Sequence, residues 1–171
     1  MILGTGDIGF LIHKDSWMSR VIAWFMGSRW SHTFLVVEKG VFCTWVSETT
    51  ETIICTGILN NYLDDIEVEM EIFRPKITPG EKHKVVERCL ENHGKWYAYI
   101  QFISQGIRLL LKKIGIKIPN FLPYGLQCNS HVLTGYCLTS IPGLEGIVPQ
   151  SVDTEELYQI VRSSEYFERV Y

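Results

Sequence analysis

Short apolar runs alternate with polar punctuation along this chain, and two periods can be told apart. Residues 7–13 (DIGFLIH) follow a Gly-Asp turn and read as a short strand. The segment 16–26 (SWMSRVIAWFM) carries apolar residues at helical spacing, with Asp15 or Ser16 as N-cap and Gly27-Ser28 as the stop, and predicts a helix. Next, HTFLVVEKGVFCTWVSET sets two β-branched and aromatic runs on either side of Glu38-Lys39-Gly40. That is the pattern of an antiparallel hairpin, opened by His32 and closed by Glu48. A further strand is expected at 52–55 (TIIC) and another at 67–73 (EVEMEIF). In the latter, glutamates alternate with apolar residues and mark one wet face and one buried face, and Arg74-Pro75 ends the run.

The period then changes. Pro79-Gly80-Glu81 opens a helix over about 80–93, with Val85, Val86, Cys89 and Leu90 on one face and Gly94 as its end. Segment 97–114 is a second helical candidate that fades into the loop IPNFLPYGLQ. Cys128 begins NSHVLTGYC, read as a helix start, and a last helix at about 153–163 has Asp153 or Thr154 as cap and Glu155-Glu156 in its first turn. No internal repeat and no Gly-, Pro- or Ser-rich linker divides the 171 residues. The expectation is one α+β domain over 1–171: a curved antiparallel sheet of about five or six strands against helices, with a helical insertion or flap at about 97–120.

Composition narrows the function classes. A formal net charge of -3 argues against a general nucleic-acid binder, which needs a clustered basic surplus. The N-terminus lacks a basic region leading into an apolar stretch and a cleavage site, so a cytoplasmic location is expected. Arg108, Lys112, Lys113 and Lys117 interrupt the longest apolar stretch, leaving nothing long enough to span a bilayer. The same basic residues make 99–118 a candidate for peripheral contact with an anionic membrane surface; the alternative is a helix packed on the domain. Five cysteines without a C-x-x-C pair speak against a disulfide framework and against a zinc finger.

Among those cysteines Cys128 stands apart. It lies at a loop-to-helix junction among Gln127, Asn129 and Ser130, where the unpaired N–H groups of a helix start lower a thiol's proton affinity and offer oxyanion donors. Cys43 and Cys55 sit in strand-like runs and Cys89 on an apolar helix face, the places of small buried hydrophobes; Cys137 reads as internal. A nucleophilic thiol needs an imidazole, and the imidazole a group to orient it. His83 and His93 read as solvated, His13 ends a strand beside Lys14, and His131 rides on the same helix as Cys128. His32 opens an apolar strand after Trp30-Ser31, and Glu48 closes the neighbouring strand, so the two can sit side by side at one end of the sheet. Taken singly, each has a plainer reading: a buried thiol, a half-buried histidine, a surface acid.

The order Gly6-Asp7-Ile8, Ser31-His32-Thr33, Ser47-Glu48, Gly94-x-x-Tyr97, Cys128-x-Ser130 and Val148-Pro149-Gln150 resembles the circularly permuted branch of the NlpC/P60 papain-like superfamily. The YiiX-like subgroup is the nearer likeness and the lecithin retinol acyltransferase-like proteins the more distant one. The resemblance spans almost the whole chain and implies a permuted papain-like fold, with Cys128 as nucleophile, His32 as base and Glu48 as the third polar position. It matches Asp7 to the acid of the N-terminal turn and Tyr97 to an aromatic near the cleft, while Asn129 stands where Ser usually follows the nucleophile. Gln127 and Trp30 are further cleft candidates. Trp17, Trp24, Phe25, Met26 and Trp30 either belong to the core or wall an acyl or peptide pocket. The implied function is a cysteine peptidase or amidase acting on a peptide, cell-wall fragment or lipid amide through a thioester, with no metal or organic cofactor. An acyltransferase or lipid esterase of the same fold is one alternative, a non-catalytic lipid- or peptide-binding module another.

Overall fold

Period-two runs become strands and capped period-3.6 runs become helices. The computed structural model describes residues 3–49, 53–95, 111, 114–116, 130–137, 139–149 and 152–171, those at 25, 26 and 130 by backbone alone. Its strands are β1 (Ile8–His13), β2 (His32–Lys39), β3 (Thr44–Thr49), β4 (Ile54–Ile58), β5 (Val68–Pro75) and β6 (Phe167–Arg169). The helices are α1 (Trp17–Met26), α2 (Asn60–Leu63), α3 (Pro79–Leu90), α4 (Ser130–Tyr136) and α5 (Thr154–Ser163). All six strands join one antiparallel sheet in the order β4-β3-β2-β1-β5-β6, which makes the fold α+β.

Helix ends follow their caps. Ser16 accepts from the Ser19 N–H at the start of α1, and Gly27 closes it in the left-handed conformation at φ 62°, where a side chain would be strained. Thr78 with Glu81, and Asp153 with Glu156, form reciprocal capping boxes at α3 and α5. The larger core lies between one sheet face (Ile8, Phe10, Leu35, Phe73) and the helices α3, α4 and α5, which supply Val85, Cys89, Leu133, Tyr136, Leu157 and Val161. A smaller core covers the other face, where Leu11, Phe34, Val36, Val46, Met70 and Ile72 meet Leu3 and Leu59. There the Phe34 ring lies over Gly9, and any Cβ on Gly9 would overlap it.

Several expectations need correction. The β2–β3 connection runs over residues 40–43, closed by Gly40 N–H to the Cys43 carbonyl at 2.8 Å, because β2 continues through Lys39 with a bulge between Val36 and Glu38. Cys43 therefore lies in the loop; it and Cys55 on β4 are partly exposed, not buried hydrophobes. The strand expected at 52–55 begins later than its apolar run, at Ile54. On β5 the acidic face is not the wet one: it turns toward α5, where Glu71 is buried, accepts from the Tyr158 hydroxyl at 3.0 Å and pairs with Arg29 and Arg169. Alternation sorted the faces of that strand, but tertiary packing also buried Glu71 on the acidic one, while Glu69 stays partly exposed. Helix α2 and strand β6 carried no signal strong enough to anticipate.

Candidate active site

His32 and Glu48 come together on the smaller-core face. Antiparallel register pairs Phe34 with Glu48, so His32, two residues before Phe34, shares that face and lies on the diagonal, within reach of a long side chain. The His32 Nε2–H donates to Glu48 Oε2 at 3.1 Å. The same oxygen accepts from the Tyr62 hydroxyl at 2.6 Å. The carboxylate is almost completely buried, at 8% side-chain exposure against 17% for His32, which separates it from a solvated surface pair of little value. Its other oxygen, Oε1, packs on the Cα of Gly57 in β4, where a Cβ would lie inside its van der Waals envelope.

The electrostatics follow. Burial by itself would raise the Glu48 carboxyl, but the His32 hydrogen bond and charge, then the Tyr62 hydrogen bond, then the charge of His131 hold it below the ordinary carboxylate range. Burial first, and then the bond to Glu48 and its charge, push the Tyr62 phenol well above the ordinary tyrosine range. Glu48 is thus an anion with two donors on one oxygen. An imidazole that gives its Nε2–H to such an anion is fixed in one tautomer, with Nδ1 left to take a proton; among the described residues Nδ1 of His32 has no hydrogen-bond partner.

A second polar cluster occupies the opposite face of the same strand. Ser47 and Thr49 flank Glu48 in sequence and point the other way. The buried His131 of α4 donates from Nε2 to the Ser47 carbonyl at 3.3 Å, and its Nδ1 meets Thr49 Oγ1 at 3.3 Å. The Cys89 thiol donates to Ser47 Oγ at 3.3 Å, and Ser47 Oγ meets His93 Nε2 at 2.9 Å. His93 is half-buried rather than fully solvated: burial lowers its proton affinity, and its Nδ1 lies 3.4 Å from Thr56 Oγ1. Burial pushes the Cys89 thiol up to about 12, against a smaller lowering by Ser47, so it is an inert thiol. The end of β3 therefore holds His32 on one face and anchors α4 on the other.

The remaining candidates separate clearly. Cys128, Gln127 and Tyr97 lie outside the described residues. Trp30 is fully enclosed in the larger core with its ring edge-on to Tyr158 at 5.5 Å, so it presents no surface to a cleft. Asp7 is fully buried and structural: it accepts from the Gly4 N–H at 2.8 Å and from Arg74 Nη2 and Nε at 2.7 and 3.0 Å. Trp17 and Trp24 are exposed on α1 and line a groove with Arg20 and Val21 to which neither His32 nor Glu48 contributes. Of 99–118 only Leu111 and residues 114–116 are described, with Ile114 and Ile116 exposed. Among the described residues no helix is long and apolar enough to cross a membrane, and no group of three or more His, Cys, Asp or Glu is placed to hold a metal ion.

Sequence reasoning missed Tyr62 and Gly57. Nothing in LNNYLDD marks Tyr62, because its role depends on where α2 docks. Gly57 did leave a trace: a lone glycine in a strand-like run signals close approach of another group. No family model and no curated protein matches this sequence. Solved structures do match, among them the crystal structure of metalloprotein yiiX from Escherichia coli O157:H7 (DUF1105), over 98% of this chain and 96% of that one at a TM-score of 0.51 and 16% identity. At that identity the likeness is one of fold: the chain shares its α+β architecture, along nearly its whole length, with that YiiX protein.

Proposed function

We propose that the chain is a cysteine-dependent hydrolase of the permuted papain-like (NlpC/P60) type that cleaves an amide bond in a peptide, cell-wall fragment or lipid amide. The observation that carries this reading is the His32–Glu48 contact: a buried, ionised carboxylate holding one ring nitrogen of a partly exposed histidine at 3.1 Å. In the proposed reaction His32 Nδ1 takes the proton of the Cys128 thiol, and the thiolate adds to the amide carbonyl. The tetrahedral intermediate collapses as the imidazolium returns the proton to the leaving amine, which gives a thioester. Water, deprotonated by His32, then adds to the thioester and releases the acid and the thiol. Glu48 stays ionised throughout and stabilises the imidazolium. Acyl transfer follows the same course with another nucleophile in place of water.

Helix α4 packs on one face of the sheet, where His131 meets the Ser47 carbonyl, and His32 projects from the other. That separation favours a second reading, a non-catalytic peptide- or lipid-binding module of the same fold. The solved structure it resembles in fold is named a metalloprotein; in this chain His32 Nε2 and Glu48 Oε2 are engaged with each other. Iodoacetamide labelling followed by peptide mass spectrometry discriminates between the readings. In a hydrolase Cys128 is labelled first, from mildly acidic pH upward, and His32→Ala moves its profile to higher pH. Labelling of Cys128 like a free thiol, with no response to His32→Ala, would leave the binding module. Acyl-electrophile probes on wild type and Cys128→Ala then identify the bond class.

A further inference from the structure

Tyr62 is the least expected member of the His32–Glu48 group, and three observations define its place. Its hydroxyl donates at 2.6 Å to the carboxylate oxygen that His32 uses, not to the other one. The backbone of Gly57 lies against Oε1, so the carboxylate is confined between a wall on one side and two donors on the other. Helix α2 is itself fastened to β3: Asn60 Oδ1 accepts from the Thr44 N–H at 3.0 Å, the Leu59 N–H donates to the Thr44 carbonyl at 2.9 Å, and Leu59 is fully buried. The Tyr62 ring also stands edge-on to His13 at 5.6 Å.

We infer that Tyr62 is a positioning residue for the base. Its O–H pins Glu48 Oε2 where His32 Nε2–H can reach it, and keeps that carboxylate an acceptor in both protonation states of the imidazole. A buried carboxylate with the imidazole as its only donor would compete for the imidazole's proton; a second donor on the same oxygen lowers its proton affinity, so the proton stays on the ring. The titratable groups around Glu48 are His32 of β2, Tyr62 of α2, Cys55 of β4 as its cross-strand partner and, through the sheet, His131 of α4. Cys55 of β4 and His13 of β1 flank Tyr62, and Asp65 lies 4.0 Å beyond His13. Of these, Tyr62 donates to the carboxylate and stays neutral whether or not His32 is protonated. The catalytic consequence rests on the hydrolase reading; the positioning of Glu48 does not.

Tyr62→Phe keeps the ring and removes one oxygen, so the fold and the packing on His13 are preserved. The carboxyl carbon of Glu48, followed by 13C NMR and assigned with Glu48→Gln, should titrate about half a pH unit or more higher in Tyr62→Phe than in wild type. A merely packing role would not move it, and an unchanged midpoint overturns the inference. The reciprocal measurement guards against an unfolded variant: in Glu48→Gln the Tyr62 phenol, read by difference absorbance against the Tyr62→Phe/Glu48→Gln double variant, should ionise at lower pH than in wild type. A phenol that ignores the loss of Glu48 would equally refute it. If the Glu48 midpoint moves while Cys128 labels like a free thiol in wild type and does not respond to His32→Ala, the positioning stands and the hydrolase reading falls.

Discussion

Gly57→Ala tests the confinement of Glu48 with one methyl group. Gly57 sits in extended backbone on β4, opposite Val46, so alanine is conformationally acceptable and would by itself favour the strand by about 0.5–1 kcal/mol. The new Cβ, however, would overlap Glu48 Oε1 and lie 2.8 Å from its Cδ. The carboxylate would have to retreat by about 1 Å or more to reach ordinary contact distance. It has no room to do so, because the Tyr62 bond at 2.6 Å is already short and the His32 bond stands at 3.1 Å. At least one hydrogen bond to a buried charge must break, at about 1.5–3 kcal/mol. Net of the strand preference, the expected loss is about 1–2 kcal/mol, or roughly 3–6 °C in Tm for a chain of this size. Calorimetry and urea unfolding measure it. The decisive control is Gly57→Ala in a Glu48→Ala background, where the obstacle is gone and the same substitution should become neutral or stabilising. A double-mutant coupling below about 0.5 kcal/mol, or a Gly57→Ala protein as stable as wild type, would show that the wall and the two donors do not confine this carboxylate.

Two further predictions concern the same strands. Because Glu48 is held below its ordinary range in the folded chain, its contribution to stability is complete above the ordinary glutamate range and is lost as pH falls through the lower folded value. Wild type should therefore exceed Glu48→Gln at neutral pH, and the gap should close in acid; a gap constant with pH in urea titrations would contradict the assignment. Asp7→Ala strips a fully buried carboxylate from Arg74 and the Gly4 N–H, and should cost about 2–3 kcal/mol in urea unfolding while the reactivity of Cys128 stays as in wild type. A shift in thiol reactivity would mean that Asp7 belongs to the site and not only to the turn.

Local chemistry alone specified much of this molecule. Ser16, Thr78 and Asp153 start their helices because each offers an oxygen to an unpaired N–H, a bond made within four residues and so visible in sequence. The β2–β3 hairpin, and with it the approach of His32 to Glu48, was accessible for a related reason: two strands joined by a short loop pair antiparallel, and alternation puts every second residue on one face. What the sequence could not decide is what stands above each face. The glutamates of β5 look solvent-bound until α5 lays Tyr158 over Glu71, and Trp30 looks like a pocket wall until the larger core closes round it. His93 and His131 look incidental until the far face of β3 binds them. Tyr62 acquires its role only because α2 docks beside β3 and brings a phenol to an acid 14 residues away in the chain. Each of these depends on which elements meet, and that is settled by the summed burial of whole faces, a property no single segment carries.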